Sequence, residues 1–112
     1  MIYKNFKDTE VFTGKTNVTY EYNIDDKDLN YCIVKVKGRF PVEGLAINHK
    51  CKQMAHILKG KGILWCEGKE YKLKKNDVVL IGVDEKYYWK GNLTLGVPCS
   101  PAWYPEQHDT II

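Results

Sequence analysis

The sequence lacks any apolar run of the roughly 18 residues that a membrane-spanning helix needs. Its first residues, MIYKNFK, contain no apolar core of an export signal, so we expect a cytoplasmic protein in a reducing environment, without a membrane partner. The 17 basic residues outnumber the 14 acidic ones by only three, and they are dispersed along the chain. A dispersed excess of this size favours solubility, and we therefore expect no nucleic-acid partner.

Motifs of the common enzyme classes are also missing. There is no glycine-rich phosphate loop, no Gly-x-Ser-x-Gly, no His-Glu-x-x-His and no paired-carboxylate arrangement. The four cysteines, Cys32, Cys51, Cys66 and Cys99, are widely spaced and form no Cys-x-x-Cys pair. In a reducing compartment this spacing indicates free thiols on half-buried strands in preference to a redox or zinc centre.

Short β-strand patterns dominate what the sequence does contain. Residues 20–24 and 31–37 alternate apolar and polar side chains, which is typical of a half-buried strand. Further β-rich runs cover residues 42–47, 54–58, 63–66, 71–73, 78–81, 87–89 and 93–97. No stretch carries a helical stripe, and turn residues recur about every 8 to 12 positions, which predicts a β-sandwich or barrel.

Four segments are predicted to reverse the chain between these strands: residues 59–62, 67–69, 74–77 and 90–92. Gly68 supplies a positive φ for a hairpin turn, and Asn76 tolerates the left-handed conformation. Three prolines lie close together in residues 98–105, which argues against a central strand there. We expect this segment to wrap the outside or the mouth of the barrel, anchored by burial of Trp103.

Residues 57–81 resemble the cupin family. The hydrophobic pair at 57–58 precedes a Gly-x-Gly at 60–62, then follow the hairpin Gly68, Leu73, and Asn76-Asp77 before a buried strand at 78–81. Cupins typically have Gly where Asn76 stands and a strand-ending Pro where Gly82 stands. The resemblance covers roughly residues 42–97.

This resemblance implies an all-β fold, the cupin-type double-stranded β-helix or jelly-roll barrel. It further implies a single domain over residues 1–112, with the barrel at roughly 30–98, N-terminal strands at 10–24 and a C-terminal Pro/Trp segment at 98–112. Because cupins commonly pair, it also implies a homodimer.

The metal-ligand positions of the family match poorly. Cupins typically bind a divalent transition metal through three His and one Glu, and counting back from Gly60 places the Glu position on Gln53. The second His position falls on His49 or Asn48, the first on Ile47 or Ala46, and the last on Tyr87. The resemblance thus implies a metal held at best by His49, Gln53 and Tyr87, and His108 is a further candidate ligand if the C-terminal segment folds back over the barrel mouth. Gln is a weak neutral ligand, and Tyr must lose a proton with a pKa near ~10, so these residue types argue against a tight site.

Several side chains are candidates for a pocket in the barrel. His49 and Tyr87 form a candidate acid–base pair, because a His titrates near neutral pH and Tyr87 occupies the inward position of the family. Candidate ligand-binding residues are Asn48, Gln53, Trp65, Trp89 and Trp103. The structural alternatives are a polar loop His, an exposed strand Gln and aromatic side chains that pack in the core.

Three functions remain open. The first is a cupin that binds a small polar molecule, sugar-like or a carboxylate, with or without metal. The second is a sugar isomerase or epimerase that uses His49 and Tyr87, with or without metal assistance. The third is a dimeric scaffold without catalysis, for which we expect a pocket filled by bulky apolar side chains with no converging polar groups.

Overall fold

The computed structural model describes residues 1–112, which form nine β-strands and two short 3-10 helices. The strands are β1 (Glu10–Thr13), β2 (Asn17–Glu21), β3 (Asn30–Phe40), β4 (Leu45–Asn48), β5 (Lys52–Cys66), β6 (Lys69–Lys74), β7 (Val78–Ile81), β8 (Lys86–Ser100) and β9 (His108–Ile111). The 3-10 helices are Phe6–Asp8 and Pro105–Gln107. None of the helices has the length and apolar character required to span a membrane.

Two long strands organise one curled antiparallel sheet. Strand β8 pairs with β3 and then β4 along one edge and with β5 along the other, and β5 also pairs with β6 and β7. The sheet continues from β3 through β2 to β1, and from β4 to β9. This strand-only architecture confirms the predicted all-β cupin-type barrel.

The inward face of β8 explains where the core lies. Its buried side chains alternate along the strand, as expected when successive residues point to opposite faces of a sheet. They are Tyr87, Trp89, Leu93, Leu95, Val97 and Cys99. These residues belong to one cluster of 13 buried hydrophobic side chains, so the barrel has a single core.

Two of the four predicted reversals are wrong. Residues 59–62 lie inside the continuous strand β5, which carries only a register shift between Ile57 and Lys59, and residues 90–92 lie inside β8. The glycines there permit close approach of these two strands: Gly62 is paired with Gly91, and a Cβ on Gly91 would lie 2.7 Å from the Gly62 Cα. The predicted runs 54–58 and 63–66 therefore form one strand, as do 87–89 and 93–97.

The other two reversals are confirmed. Glu67 and Gly68 have φ of 47° and 84° in the turn between β5 and β6. Asn76 has φ of 75° in the turn between β6 and β7. All three residues lie in the left-handed region, which Gly68 and Asn76 were predicted to supply.

The proline-rich segment begins later than its composition suggested. Pro98 lies within β8 opposite Tyr31 of β3, so the expectation of no strand there is wrong for this residue. Strand β8 ends at Ser100, and the chain then continues through Trp103 and the helix Pro105–Gln107 into β9.

Candidate functional site

A cavity of about 610 Å³ lies inside the barrel. Thirteen of its 21 lining residues are hydrophobic, so most of its surface suits an apolar or aromatic part of a ligand. Strand register builds the wall in rows: Thr19 of β2 lies opposite Val34 of β3, which lies opposite Leu95 of β8. Alternate residues along β2, β3 and β8 contribute to these rows, so one face of each of the three strands lines the cavity.

The segment after β8 closes one side of this cavity. Ala102, Trp103, Pro105 and His108 all contribute to its lining. Two backbone contacts fix the segment: the Ala102 N–H donates to the Lys27 carbonyl at 3.0 Å, and the Trp103 N–H donates to Asn30 Oδ1 at 3.1 Å. The C-terminal segment is therefore part of the cavity wall.

Asn48 lies at the centre of a buried hydrogen-bond network, with only 1% of its surface exposed. Its Oδ1 accepts from Trp103 Nε1 at 3.1 Å, from Gln107 Nε2 at 2.9 Å and from His108 Nδ1 at 2.9 Å. Its Nδ2 donates to Gln53 Oε1 at 2.9 Å. One side chain at the end of β4 thus joins β5 to the C-terminal segment.

The same amide reaches Tyr87. Asn48 Nδ2 lies 3.5 Å from the Tyr87 hydroxyl oxygen, at the long limit of a hydrogen bond. Burial raises the pKa of Tyr87 above its ordinary value, because the phenolate would lose its hydration. The hydroxyl therefore stays protonated at neutral pH and keeps its hydrogen-bond donor, and Tyr87 is one of the residues that line the cavity.

His108 lies against the network on its cavity side. Burial lowers the pKa of its imidazole from the ordinary 6.5, and the nearby His49 lowers it further, whereas Asp109 opposes the shift. The ring also packs against Trp103, with centroids 5.7 Å apart. At neutral pH His108 is an uncharged imidazole in contact with the Trp103 ring and the Asn48 amide.

Glu21 is the acidic group of the cavity lining, and no Lys or Arg shares that lining. Burial raises the pKa of its carboxyl, and the nearby Glu10 adds to this, although the Asn23 backbone N–H donates to it and lowers the pKa. The cavity therefore offers no cation to balance a ligand carboxylate or phosphate.

The structure places the predicted site residues in two groups. Five of them line the cavity: Gln53, Tyr87, Trp89, Trp103 and His108. Asn48 does not line it but hydrogen-bonds Gln53, Trp103 and His108.

His49 and Trp65 are absent from the lining. His49 is exposed and hydrogen-bonds Asp84 at 2.8 Å and Asp109 at 3.3 Å, and both bonds raise the pKa of its imidazole. Trp65 stacks on Tyr88, with ring centroids 5.8 Å apart and nearly parallel planes. Asn48 is the buried last residue of β4, whereas His49 lies in the exposed bend that follows the strand.

Sequence reasoning did not identify Gln107 or Glu21. Gln107 is buried, and its Oε1 accepts from the backbone N–H groups of Lys50 and Cys51 at 3.1 and 3.2 Å. These contacts span 57 and 56 positions of the chain, and no local sequence motif indicates a contact of that range. For Glu21 a signal existed, because it is one of the two polar members of the alternating run 20–24.

The divalent metal that the family resemblance implies does not fit these residues. No group of three or more His, Cys, Asp or Glu side chains lies close enough together to hold a metal ion. His108 offers a single nitrogen, Nε2, because Asn48 occupies its Nδ1; Gln53 has its Oε1 occupied by the same residue, and Tyr87 retains its proton. A transition metal prefers several imidazole, thiolate or carboxylate donors, which this set does not supply.

Comparison with known proteins identifies the fold. No family model and no curated protein sequence matches the chain. Among solved structures, a variant of Streptomyces Pac13 bound to uridine superposes with a TM-score of 0.91 at 12% identity, over 100% of this chain and 92% of that one. Pac13 is described as a nucleoside dehydratase.

Two further structures superpose over most of the chain. KdgF from Halomonas sp. gives a TM-score of 0.76 at 13% identity, over 91% of this chain and 96% of its own. Ectoine synthase from P. lautus gives 0.78 at 15% identity, over 100% and 91%. All of these are cupin-fold proteins, so the chain has the cupin fold, as its sequence predicted. At such low identity the likeness establishes the fold alone.

Proposed function

We propose that this protein binds a small uncharged molecule, with a flat ring and several hydroxyl or amide groups, in the barrel cavity. Nucleosides and sugar-like compounds have this character. The composition of the cavity wall carries the proposal: an extensive apolar and aromatic surface meets one cluster of polar groups. Such a combination is typical of small-molecule sites, where apolar contact supplies affinity and a few polar groups fix orientation.

The polar cluster argues for a ligand site over a purely structural barrel. Gln53, Tyr87 and His108 converge on Asn48, and all three also line the cavity. A scaffold without a ligand needs no converging polar groups, and we expect apolar side chains to fill the interior of its barrel. Polar groups that line an open cavity keep hydrogen-bonding capacity for a ligand.

The lining also supports an uncharged ligand. A buried anion requires a cation or several donors close by, and the lining contains neither Lys nor Arg. Glu21 would in addition repel a carboxylate or phosphate once it is ionised. Among the sequence-based alternatives, this favours a sugar-like ligand over a carboxylate.

The superposition with uridine-bound Pac13 over the whole chain makes uridine the first compound to test. Its base is flat and its ribose carries hydroxyls, so it meets both requirements of the cavity. Uridine monophosphate is the matched charged compound, since it differs only by the phosphate.

The chain provides its own reporters for this test. Trp89 and Trp103 line the cavity, whereas Trp65 does not, and each has one indole N–H that is resolved in a proton–nitrogen NMR spectrum. The compounds to test are a panel of neutral nucleosides and sugars that includes uridine. We expect at least one of them to shift the Trp89 and Trp103 signals saturably and to leave the Trp65 signal unchanged. We expect the monophosphate to bind at least roughly tenfold more weakly, a cost of about 1.4 kcal/mol.

Variants assign the contacts. Tyr87→Phe and Gln53→Leu should weaken binding of the compound that shifts the signals, and His56→Gln should not, because His56 does not line the cavity. The proposal fails if no neutral compound shifts Trp89 or Trp103, or if the charged compounds bind more tightly than their neutral partners.

A further inference from the structure

The hydrogen bonds around Asn48 fix the protonation pattern of His108. Trp103 Nε1 is only a donor, so the Asn48 atom that it contacts at 3.1 Å is the carbonyl oxygen. His108 Nδ1 contacts that same oxygen at 2.9 Å and must therefore donate a proton to it. In the neutral ring the other nitrogen, Nε2, then carries the lone pair.

Gln107 confirms the orientation of this network independently. Its Oε1 accepts from two backbone N–H groups, at Lys50 and Cys51, which are donors only. Its Nε2 is consequently the atom that donates to Asn48 Oδ1 at 2.9 Å. Asn48 Oδ1 thus receives three donors, and reversing the Asn48 amide would break all three bonds.

One nitrogen of the His108 ring has no partner in the protein. Nε2 has no hydrogen-bond partner in the protein, and no buried polar side-chain atom lacks one, so Nε2 is accessible. The ring lines the cavity together with Gln53 and Tyr87, whose Nε2 and hydroxyl are donors. An acceptor and two donors are therefore held at one end of the cavity by contacts to one asparagine.

We propose that this end of the cavity catalyses proton transfer without a cofactor, with His108 Nε2 as the base. The substrate class is a flat-ringed compound with an acidic C–H next to a polar group. This inference rests on the proposed binding function and adds a reaction to it. The assignment moves the acid–base role from His49, which lies outside the cavity, to His108.

The step balances within the substrate and these side chains. His108 Nε2 takes the proton, and the C–H electron pair moves into the adjacent bond. The oxygen that gains this charge receives a hydrogen bond from the Tyr87 hydroxyl or the Gln53 amide, which is how preorganised donors stabilise developing charge. Return of the proton to a neighbouring carbon completes an isomerisation, and departure of a leaving group completes an elimination.

Asn48 is a positioning residue in this scheme. It contacts the far side of the imidazole, at Nδ1, and fixes both the ring orientation and the tautomer that leaves Nε2 as acceptor. A partner that orients a histidine through its second nitrogen is a general requirement of histidine bases.

A chromogenic probe tests the base without knowledge of the natural substrate. Nitrobenzisoxazole is flat and has one acidic ring C–H. When a base removes that proton, the C–H pair forms a nitrile, the N–O bond breaks, and oxygen leaves as a coloured phenolate. We expect saturable turnover whose rate rises with pH through an inflection below 6.5, because His108 has a lowered pKa.

Variants identify the groups. His108→Gln should lower kcat/KM about 100-fold, which is the usual contribution of a general base. Tyr87→Phe should lower kcat by less, and His56→Gln should leave it unchanged. Asn48→Asp places a carboxylate on Nδ1 and should move the inflection to higher pH, whereas a merely structural role would lower the rate without moving it. If Asn48→Asp does not fold, the His108 and Tyr87 variants decide the assignment.

The outcomes separate this inference from the proposed function. If the probe shifts the Trp103 indole signal but reacts no faster than with His108→Gln, the base assignment is overturned and ligand binding stands. If the probe does not bind although neutral nucleosides or sugars do, the inference is likewise overturned, since a flat ring is the substrate shape it specifies. If neither the probe nor the panel binds, the proposed function and the inference both fail.

Discussion

The carbonyl oxygen of Asn48 lies 2.9 Å from Nδ1 of His108, although these residues are 60 positions apart in the chain. Asn48 is almost fully buried, and every buried polar side-chain atom in the protein has a hydrogen-bond partner. A satisfied buried network holds its members in one arrangement, because breaking any bond leaves an unpaired group away from water. The polar end of the cavity is therefore rigid by construction.

Replacing Asn48 by leucine should destabilise the protein strongly. The variant leaves the donors of Trp103, Gln107 and His108 without their acceptor, and each unpaired buried donor costs about 1–3 kcal/mol. We expect the free energy of unfolding to fall by at least ~3 kcal/mol in urea titrations. The exposed Asn92 provides the matched control, since Asn92→Leu should change stability by about 0.5 kcal/mol or less. Equal losses in the two variants would contradict a central role for Asn48.

His49 and His108 should contribute to stability with opposite dependences on pH. The hydrogen bonds to Asp84 and Asp109 raise the pKa of His49 above 6.5. Its contribution to stability is thus fully present below pH 6.5 and is lost as the pH rises through the higher folded-state pKa. Burial lowers the pKa of His108, so its contribution is present above pH 6.5 and is lost as the pH falls through the lower value.

Urea titrations between roughly pH 5 and pH 9 test this difference. Relative to wild type, His49→Gln should lose stability mainly on the acid side and approach wild type at alkaline pH. His108→Gln should flatten the fall in stability on the acid side. Parallel pH profiles for wild type and both variants would show that neither imidazole has a shifted pKa.

The close crossing of β5 and β8 should tolerate no side chain. Gly91 has φ of 135°, and an added Cβ would lie 2.7 Å from the Gly62 Cα. We expect Gly91→Ala to cost about 2–3 kcal/mol, because backbone must move as well as adopt an unfavourable φ. Gly68→Ala shares a positive φ, of 84°, but meets no atom within 4 Å. That control should lose only about 1 kcal/mol, and a larger loss there than at Gly91 would rule out the crossing as the cause.

Added transition metals should neither bind stoichiometrically nor raise the melting temperature. Only Nε2 of His108 is free, Asn48 occupies Oε1 of Gln53, and Tyr87 keeps its proton, so one imidazole nitrogen is too little for a tight site. Incubation with zinc, manganese or iron(II), followed by elemental mass spectrometry, measures the bound fraction. A ligand that binds only the folded state raises stability by mass action, so near-stoichiometric metal with a higher melting temperature would refute this prediction.

Local patterns in the sequence were sufficient for the fold class. Alternating strands, the hairpin at Gly68 and the left-handed Asn76 all predicted features that the structure contains. The glycines at 60, 62 and 91 were misassigned, because glycine serves both in turns and where two backbones approach closely. Composition alone does not distinguish these uses; the distinction depends on which strands become neighbours.

The candidate site was only partly predictable for a related reason. Counting along the chain left both Asn48 and His49 at one cupin position, and a shift of one residue decides whether the buried Asn48 or the exposed His49 is taken as the site residue. In β2 the Tyr20 ring packs against Phe6, with ring centroids 5.1 Å apart, while the polar Glu21 lines the cavity. An alternating pattern indicates two faces but does not say which one the barrel encloses.

The long sequence separations within the Asn48 network govern the order in which the site is assembled. Asn48 meets its partners in the C-terminal segment across 55, 59 and 60 positions. Contacts of such separation close large loops and depend on prior formation of the sheet. A barrel whose C-terminal segment has detached retains most of its strands but has no base and no finished cavity. A ligand that binds only the complete cavity therefore also stabilises the packed position of the C-terminal segment. Ligand binding should slow amide hydrogen exchange in the backbone of that segment.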